Sequence, residues 1–394
     1  MVPFINPAMA NTFSPPVMEA RRWLDGVEFS PDLPLINVSQ AAPVQPPPKP
    51  LRQALAKIVL DKPESHLYGP VLGLPDLRDQ VALQWSQDYG GQIRDSQVAI
   101  TSGCNQAFAA IMATLAGSGD EVILPTPWYF NHKMWLDMQG VKCVALPAGR
   151  AMLPDPDQAA SLITDKTRAI VLVTPNNPTG AEYPADLLRR FYDLAQRRGI
   201  ALIIDETYRD FNSRAGAPHD LFSDPDWQNT LIQLYSFSKA YRLTGHRVGA
   251  IVASQARLKQ VEKFLDTVAI CPNQIGQYAA LWGMQNLSGW LAGERVEILS
   301  RRAAIVTGFP ALADQGWKLL GTGAYFAYLQ HPFEMPSDDL AKYLVQNAAI
   351  LLLPGTMFTP DTDASGKQQL RVAFANIDTD GISALFSRLQ KLDI

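Results

Sequence analysis

Lys239 is the residue of this chain whose chemistry is hardest to explain by packing alone. It ends the tetrapeptide SFSK at residues 236–239, directly after an apolar run at residues 230–235. A buried ammonium group is costly unless it is paired with an anion or loses its proton. A lysine without its proton is a nucleophilic amine, and such amines form Schiff bases with carbonyl compounds. We therefore predict a nucleophilic Lys239, although any single lysine at a strand end can also be an ordinary surface residue.

Two short segments could bind a phosphate group. Ser236 and Arg247 flank the lysine, and a hydroxyl and a guanidinium are both good phosphate ligands. Gly103, Cys104 and Asn105 stand where a helix is predicted to begin after a strand. The free backbone N–H groups and the helix dipole at such a start favour an anion. Taken singly, the first pair could be a cap and a surface ion pair, and the second segment an ordinary helix start.

A third group of residues could hold a flat, polar ring. Asp205 ends a buried apolar run, where its carboxylate could keep a pyridine nitrogen protonated. Tyr208 and Asn177 could bond a phenolic oxygen of the same ring, Tyr129 could stack on its face, and His132 could orient the aspartate. Each also has an ordinary explanation, because aspartate caps turns, asparagine forms turns, and aromatic side chains pack in cores.

Arg371 is a lone charge inside an otherwise apolar strand, and a charge there needs a partner. The partner could be a protein carboxylate or the α-carboxylate of a substrate. Pyridoxal 5′-phosphate (PLP) chemistry on amino acids needs four groups: a lysine, a site for the phosphate, a carboxylate that binds the ring nitrogen, and a cation that binds the carboxylate of the substrate. We therefore predict a PLP site. The five histidines are scattered, so we predict no metal.

The elements that carry these residues follow an α/β pattern. Short apolar runs alternate with helical segments, which predicts an α/β fold whose mostly parallel sheet is covered by helices on both faces. The predicted strands are residues 98–101, 121–124, 141–146, 169–174, 200–204, 231–235 and 248–253. In such sheets functional groups collect at the carboxyl ends of the strands. We therefore expect the residues around 103, 177, 205 and 239 to converge on one cleft.

A second, smaller α+β domain is predicted from the two ends of the chain. After about residue 285 helical segments dominate and alternate with strand-like runs at residues 324–329, 350–353 and 370–374. We assign residues 1–48 and 286–394 to the small domain and residues 49–285 to the large, PLP-binding domain. The proline-rich segment at residues 42–50 is either a stiff crossing between the two or an exposed loop.

Composition excludes several other classes. The net charge of −4 gives no support for nucleic-acid binding. No stretch of about 18 apolar residues exists, and the N-terminus lacks the pattern of a signal peptide, so we predict neither a membrane span nor secretion. The odd, sparse set of three cysteines, Cys104, Cys143 and Cys271, suggests reduced thiols in a cytoplasmic setting.

Taken in order, the motifs make the chain resemble a fold-type I PLP-dependent aminotransferase of the class I/II group related to aspartate aminotransferase. The motifs are YGP at residues 68–70 with Gly73 and LR at 77–78, TSGCNQ at 101–106, NNPTG at 176–180, DETY at 205–208, SFSK at 236–239 with RVG at 247–249, and RVAF at 371–374. No single motif identifies the family, but the order and spacing of all of them are specific, and together they span nearly the whole chain.

The resemblance implies the roles given above, with Lys239, Asp205 and Tyr208 as catalytic residues and Arg371, Asn177 and Ala41 as substrate contacts. It further implies a homodimer in which Tyr68 reaches the phosphate in the neighbouring active site. The implied reaction is ping-pong transfer of an amino group from an L-amino acid to a 2-oxo acid through a Lys239 aldimine.

The chain departs from the family pattern at several positions. A glycine near the substrate carboxylate is replaced by Ala41 or Ala42, and Cys104 stands for a smaller residue in the phosphate loop. No arginine lies between Arg257 and Arg295 to hold a distal carboxylate, which favours a neutral or aromatic amino acid, although another region could supply that charge.

Three rival functions remain open from the sequence. A PLP-dependent lyase or synthase acting at Cβ or Cγ would use the same fold. The SFSK segment also matches the S-x-x-K signature of serine hydrolases, but the companion S-D-N and K-T-G motifs are absent. A non-catalytic PLP sensor is disfavoured because no DNA-binding segment is appended.

Overall fold

The structure is a computed structural model that describes residues 4–394. Its strands are β1 (Ile36–Asn37), β2 (Val98–Thr101), β3 (Glu121–Thr126), β4 (Lys142–Pro147), β5 (Thr167–Val173), β6 (Ala201–Asp205), β7 (Leu231–Ser236), β8 (Gly249–Val252), β9 (Lys318–Gly323), β10 (Phe326–Gln330), β11 (Ile350–Leu351), β12 (Leu353–Pro354) and β13 (Gln369–Val372). Its helices are α1 (Pro7–Asn11), α2 (Pro16–Arg22), α3 (Lys49–Asp61), α4 (Pro75–Tyr89), α5 (Cys104–Leu115), α6 (Phe130–Met138), α7 (Pro156–Leu162), α8 (Ala185–Arg198), α9 (Phe237–Ala240), α10 (Gln255–Ala269), α11 (Gln274–Asn286), α12 (Ser288–Gly308), α13 (Pro310–Ala313), α14 (Ser337–Ala348) and α15 (Thr379–Gln390).

A seven-stranded sheet in the order β2-β8-β7-β6-β5-β3-β4 forms the centre of the molecule. All strands run parallel except β8, which is antiparallel to both of its neighbours. The prediction of a mostly parallel sheet is thus confirmed. The reversal of β8 was not predicted, because an apolar run of four residues does not show its direction.

Helices cover both faces of this sheet, and successive strand residues point to opposite faces. On one face Ile170 and Leu202 pack in a core that includes Trp85 of α4 and Phe191 of α8. On the other face the sheet meets α5 and α10 in a second core. Since both faces are covered, β5, β6 and β7 are buried almost throughout, which explains their continuous apolar sequences.

The C-terminal third forms a smaller layer around an antiparallel sheet of order β12-β13-β10-β9. Ile305, Leu344 and Leu385, from α12, α14 and α15, pack in its core. The N-terminal segment joins this layer, because β1 pairs in parallel with β11. The observed architecture is therefore a large α/β sheet unit with a smaller α+β layer made from both ends of the chain.

Local boundaries differ from the sequence prediction in several places. Residues 350–353 were predicted as one strand but contribute to β11 and β12, which belong to different sheets. The strand β9 was not predicted, because its sequence KLLGTG holds two glycines and shows no apolar alternation. The proline-rich crossing ends at residue 48, because Pro50 occupies the first turn of α3, where proline is tolerated.

Within residues 4–394, no helix combines the length and the apolar character needed to cross a membrane.

Candidate active site

A cavity of about 480 Å³ lies at the carboxyl edge of the large sheet. The ends of β5, β6 and β7 supply Val173, Asp205 and Ser236 to its wall. The structure brings most of the predicted site residues to this one cavity: Ala41, Cys104, Asn105, Tyr129, Asn177, Asp205, Tyr208, Ser236, Lys239, Arg247 and Arg371. Two residues of the predicted cofactor site do not line it: Gly103, which directly precedes the wall residue Cys104, and Tyr68, which is 80% exposed on the surface.

Lys239 lies in α9, the single helical turn that follows β7. Its Nζ donates a hydrogen bond to the backbone oxygen of Ala41 at 2.6 Å. Burial, together with the charges of Arg247 and Arg371, lowers the pKa of the lysine from 10.5 to about 8. About a tenth of the amine is therefore unprotonated at pH 7, far more than for a lysine of ordinary pKa, and the unprotonated form is the one that acts as a nucleophile or general base.

An anion cradle forms where α5 begins. Gly103 caps this helix at φ +86° and has no side chain to bond the first free N–H groups, and the next two residues, Cys104 and Asn105, line the cavity. A β-carbon on Gly103 would overlap the guanidinium of Arg247. Glycine therefore allows the arginine to lie directly against the helix start. Backbone donors, a helix dipole and a guanidinium together suit a phosphate.

Arg247 is held in place by its own chain. Its Nη1 donates to the Oγ of Ser238 at 3.3 Å and to the backbone oxygen of Thr244 at 3.1 Å. Its backbone adopts the left-handed conformation, with φ +51°. Ser236, whose side chain accepts a bond from the N–H of Ser238, adds a hydroxyl to the same side of the cavity.

Asp205 is a buried carboxylate with two supporting groups. The Nε2 of His132 lies 3.3 Å from its Oδ2, and the N–H of Thr207 donates to its Oδ1 at 3.0 Å. Burial acts to raise the pKa of Asp205, but the bonds and charge from His132 and Thr207 outweigh it and lower the pKa. His132 is itself fixed by stacking on Phe108, with ring centroids 3.9 Å apart. The site thus contains an ionised carboxylate suited to a pyridinium nitrogen.

Tyr129 and Tyr208 supply phenol groups to the cavity wall. The hydroxyl of Tyr129 donates to Asn105 at 3.3 Å and accepts from Asn131 at 2.9 Å. Burial raises the pKa of Tyr208 well above its usual value of 10, so its phenol stays protonated and can donate a hydrogen bond. Asn177 lies on the loop after β5 and faces Arg371.

Arg371 is buried without a carboxylate partner in the described part of the chain. One Nη donates to Asn177 at 3.0 Å and the other to the backbone oxygen of Ser39, while its Nε has no partner. Burial lowers the pKa of the guanidinium from 12.5 to about 10. Neutral groups alone leave this buried charge poorly compensated, so the arginine suits an anion that enters the cavity.

Several residues of the wall were not predicted from the sequence. Val17, Met18 and Arg21 reach the cavity from α2, and Gln40 lies between the contacts made by Ser39 and Ala41. No local signal indicated them, because a short helix near the N-terminus has no motif and its position depends on packing against the rest of the chain. Ser238 belongs to the SFSK motif, but its contact with Arg247 was not predicted.

From residue 4 onwards, no group of three or more histidine, cysteine, aspartate or glutamate side chains is arranged to hold a metal ion. The described cysteines Cys104, Cys143 and Cys271 are all free.

Comparisons with known proteins give the same assignment. The family model for aminotransferase class I and II matches residues 34–389. An aromatic aminotransferase of Arabidopsis thaliana is 31% identical over 361 residues, covering 88% of this chain and 86% of that protein. An aspartate aminotransferase of Pyrococcus horikoshii is 28% identical over 359 residues, covering 87% of each. These relatives lend no support to the lyase or synthase alternative.

Solved structures show the same fold. An aspartate aminotransferase from Thermus thermophilus with maleate superposes with a TM-score of 0.89 at 21% identity, covering 99% of this chain and all of that chain. The matched family model spans the large sheet, the loops that carry the cavity residues and most of the small layer. The chain therefore belongs to the class I and II aminotransferases, which are PLP-dependent enzymes that exchange amino groups between amino acids and 2-oxo acids.

Proposed function

We propose that this aminotransferase binds PLP covalently through the Nζ of Lys239 and takes amino groups from a neutral or aromatic L-amino acid. The observation that carries the proposal is the convergence of Lys239, Asp205 and Arg371 on one cavity from separate parts of the chain. A lysine of lowered pKa, an ionised carboxylate and a buried arginine without an acidic partner match the three demands of the reaction.

The residues present fit the cofactor. When bound, PLP supplies a ring that withdraws electrons and so weakens the bond between Cα and its hydrogen. Arg247, Ser236 and the first N–H groups of α5 would hold its phosphate, because Gly103 leaves room for the guanidinium at the helix start. Asp205 would hold its ring nitrogen, and Tyr208 and Asn177 its phenolic oxygen.

Lys239 has a second role as the proton carrier. With PLP bound and its place taken by the amino group of a substrate, the Nζ of Lys239 would accept the proton from the substrate Cα and would donate it to the carbon that held the aldehyde group of the cofactor. Its lowered pKa keeps it competent near neutral pH. A 2-oxo acid then reverses the same steps, so the kinetics are ping-pong.

The cavity wall supports the substrate class that we propose. Arg371, assisted by Asn177, would hold the α-carboxylate common to all amino acids. Ala41 lies beside Lys239 and offers a backbone oxygen but no polar side chain. Val17, Met18 and Phe130 add apolar surface to the same cavity, which suits a neutral or aromatic side chain.

We also propose a homodimer in which Tyr68 contributes to the neighbouring active site. Its side chain is 80% exposed and does not line the cavity of its own chain. Leu60 and Leu67, near it in sequence, are 81% and 65% exposed, which supports coverage by a second copy.

Two further proposals come from the sequence. Residues 49–285 form the PLP-binding domain, and residues 1–48 with 286–394 form the small domain; the pairing of β1 with β11 supports this division.

Three free cysteines support a reducing, cytoplasmic setting.

The central test combines absorbance with a substrate screen. The purified enzyme should show a visible band that borohydride abolishes, and Lys239→Ala should lack the borohydride-reducible form. Addition of a neutral or aromatic amino acid alone should convert the cofactor to its aminated form and release one equivalent of oxo acid. Release of ammonia or a thiol instead, or a reducible band that survives in Lys239→Ala, would contradict the proposal.

A further inference from the structure

Arg242 has a backbone conformation that disfavours any residue with a side chain. Its φ is +55°, in the left-handed region that glycine enters most readily. Strain of this kind at a residue other than glycine points to a use of the side chain that offsets its cost. Arg242 is the third residue after Lys239, so the use concerns the segment that carries the amine.

The side chain of Arg242 forms a bidentate ion pair with helix α12. Its Nε donates to Oε2 of Glu294 at 2.9 Å, and its Nη2 donates to Oε1 at 2.8 Å. Trp290, one turn earlier on the same side of α12, packs against the guanidinium, with its ring centre 5.4 Å from Cζ. Two parallel hydrogen bonds fix the orientation of a guanidinium as well as its distance. The pair therefore holds the backbone near Arg242 in one geometry relative to α12.

The turn that carries Lys239 has weak hydrogen bonds of its own. Helix α9 is one turn long. The N–H groups of Ser238, Tyr241 and Arg242 lie 3.3, 3.4 and 3.5 Å from their acceptors, which is longer than a usual N–H···O bond. A single helical turn is not stable without outside contacts. The position of Lys239 therefore depends on how the residues after it are anchored.

The segment after Lys239 is anchored to two parts of the molecule. Tyr241 and Leu243 are buried in the core of the large sheet unit. Arg242, which lies between them, is bound instead to α12, and further along this helix Ile298 and Ile305 pack in the core of the small layer. The ion pair is thus a tie between the lysine segment and a helix of the small layer.

This tie matters because the reaction needs groups from both parts of the molecule. Lys239 follows β7 of the large sheet, whereas Arg371 lies in β13 of the small sheet. In the proposed function, Lys239 takes a proton from a substrate whose carboxylate is held by Arg371. The relative position of the two sheets therefore sets the distance for proton transfer, and small errors in such distances are costly.

We propose that Arg242 is a positioning residue that acts through Glu294 and holds Lys239 at the distance from the substrate Cα that proton transfer needs. The inference rests on the proposed function of Lys239. Neither Arg242 nor Glu294 lines the cavity, so both act on the reaction only through the lysine segment. Loss of the tie should slow proton transfer and leave binding of the substrate carboxylate, which uses Arg371 and Asn177, nearly unchanged.

Arg242→Gly separates positioning from stability. This variant loses the ion pair but also loses the left-handed strain, so its free energy of unfolding in urea should stay close to that of the wild type. In the half-reaction with an amino acid that the wild type converts, its maximal single-turnover rate should fall by about ten- to a hundredfold, while the half-saturating concentration changes by less than about threefold. The dissociation constant of PLP, measured by absorbance titration of the PLP-free protein, should rise at least about threefold, because Arg247 lies on the same segment.

Three further variants complete the comparison. Glu294→Gln should reproduce the loss of rate, and the double variant should be no slower than the slower single variant, because the two side chains act as one unit. Arg242→Lys keeps the charge without the paired donors and should recover part of the rate. Glu297→Gln is the matched control, since Glu297 lies on the same helix but pairs with Arg301 within α12, and it should behave like the wild type.

Wild-type rates in Arg242→Gly and Glu294→Gln, additive losses in the double variant, or an equal loss in Glu297→Gln would overturn the role of Arg242. If Arg242→Gly does not fold, as circular dichroism would show, Glu294→Gln and Arg242→Lys decide by the same rates. A wild-type enzyme without a borohydride-reducible band would contradict the proposed function and this inference with it. A normal band together with wild-type behaviour of the variants would overturn the tie alone.

Discussion

At the residue scale, the site depends on side chains whose charge is under-compensated until ligands bind. Lys239 is surrounded by the cations Arg247 and Arg371 and by no close carboxylate, and its pKa falls to about 8. Arg371 has a buried Nε without a partner. Such uncompensated charges lower the stability of the ligand-free protein, and they bind the phosphate and carboxylate anions that enter the cavity.

The lowered pKa of Lys239 predicts a pH-dependent effect of Lys239→Met on the PLP-free protein. Below about pH 8 the lysine is charged in both the folded and unfolded states, so the folded state bears the full penalty and the methionine variant should be more stable by about 3 kcal/mol. Between pH 8 and about 10.5 only the unfolded state binds the proton, so wild-type stability rises and the difference should vanish. Urea unfolding at pH 7 and pH 10.5 measures this, and a constant difference would contradict it.

Gly103 predicts a local effect on cofactor affinity. In Gly103→Ala, the new methyl group would displace Arg247 from the start of α5, so we expect PLP affinity to fall at least about tenfold. Gly119→Ala is the control, because Gly119 has a similar φ of +89° but open space around it. In urea unfolding, backbone strain should lower the free energy of unfolding of both variants by about 1 kcal/mol. Only Gly103→Ala should also weaken PLP binding, measured by absorbance titration. Equal affinities in the two variants would argue against the cradle.

At the element scale, the loop that carries Asn177 is fixed by backbone contact with the small sheet. A β-carbon on Gly321 of β9 would lie 2.6 Å from the carbonyl oxygen of Thr179, and one on Gly323 would overlap the backbone of Gly180. Strand β9 therefore contains glycines because a loop of the large sheet unit lies directly against it. This contact couples the small layer to one of the side chains that holds Arg371.

Gly323→Ala should separate β9 from this loop. We expect a loss of about 1–3 kcal/mol in the free energy of unfolding and a higher KM for amino acids, because Asn177 would shift relative to Arg371. Gly117→Ala is the control, since Gly117 lies in a loop with open space around it and without a positive φ. Urea unfolding and half-reaction kinetics provide the two measurements. A normal KM in a destabilised Gly323→Ala would show that the contact serves the fold alone.

Two consecutive carboxylates at the end of β6 lie in different surroundings. Asp205 faces the cavity, while the next residue, Glu206, accepts a hydrogen bond from Tyr89 at 2.7 Å in a separate buried cluster. His219 Nε2 lies 3.4 Å from the same carboxylate. Burial acts to raise the pKa of Glu206, but the charge and bonds of its partners lower it, so this second carboxylate is ionised and anchors the turn after the strand.

At the scale of the whole molecule, the proposed dimer makes each active site depend on two chains. Tyr68 is 80% exposed and does not line the cavity of its own chain, and it follows the exposed Leu60 and Leu67. A homodimer would bury this surface and deliver the phenol to a neighbouring phosphate site, as the family resemblance implies.

Subunit mixing tests this arrangement. Lys239→Ala and Tyr68→Ala should each have strongly reduced activity as homodimers. When the two are unfolded together and refolded, mixed dimers should contain one site with both wild-type residues, because the tyrosine of one chain completes the lysine site of the other. Recovery of up to about a quarter of wild-type activity is therefore expected for random pairing. If sedimentation shows that mixed dimers have formed and activity is still not recovered, Tyr68 does not complete the active site of the neighbouring chain.

The sequence by itself determined the chemistry and the class of fold. Lys239, Asp205 and the SFSK and DETY motifs stand directly after apolar strands, and strand ends of a parallel sheet meet at one edge. This local information was enough to predict a mostly parallel sheet and a PLP site, and the family resemblance carried by the ordered motifs predicted transamination. The structure confirms the sheet, and the comparisons confirm the PLP-dependent aminotransferase.

Only the tertiary structure decided the contacts between distant parts of the chain. It showed that Arg371 lacks a carboxylate partner, that Gly103 makes room for Arg247, and that α2 brings Arg21 to the cavity. Strand and helix propensities report a residue's neighbours in sequence, whereas these contacts join segments separated by tens to hundreds of residues. Their geometry depends on how the small layer, formed from both chain ends, closes over the edge of the large sheet, and no local pattern encodes that packing.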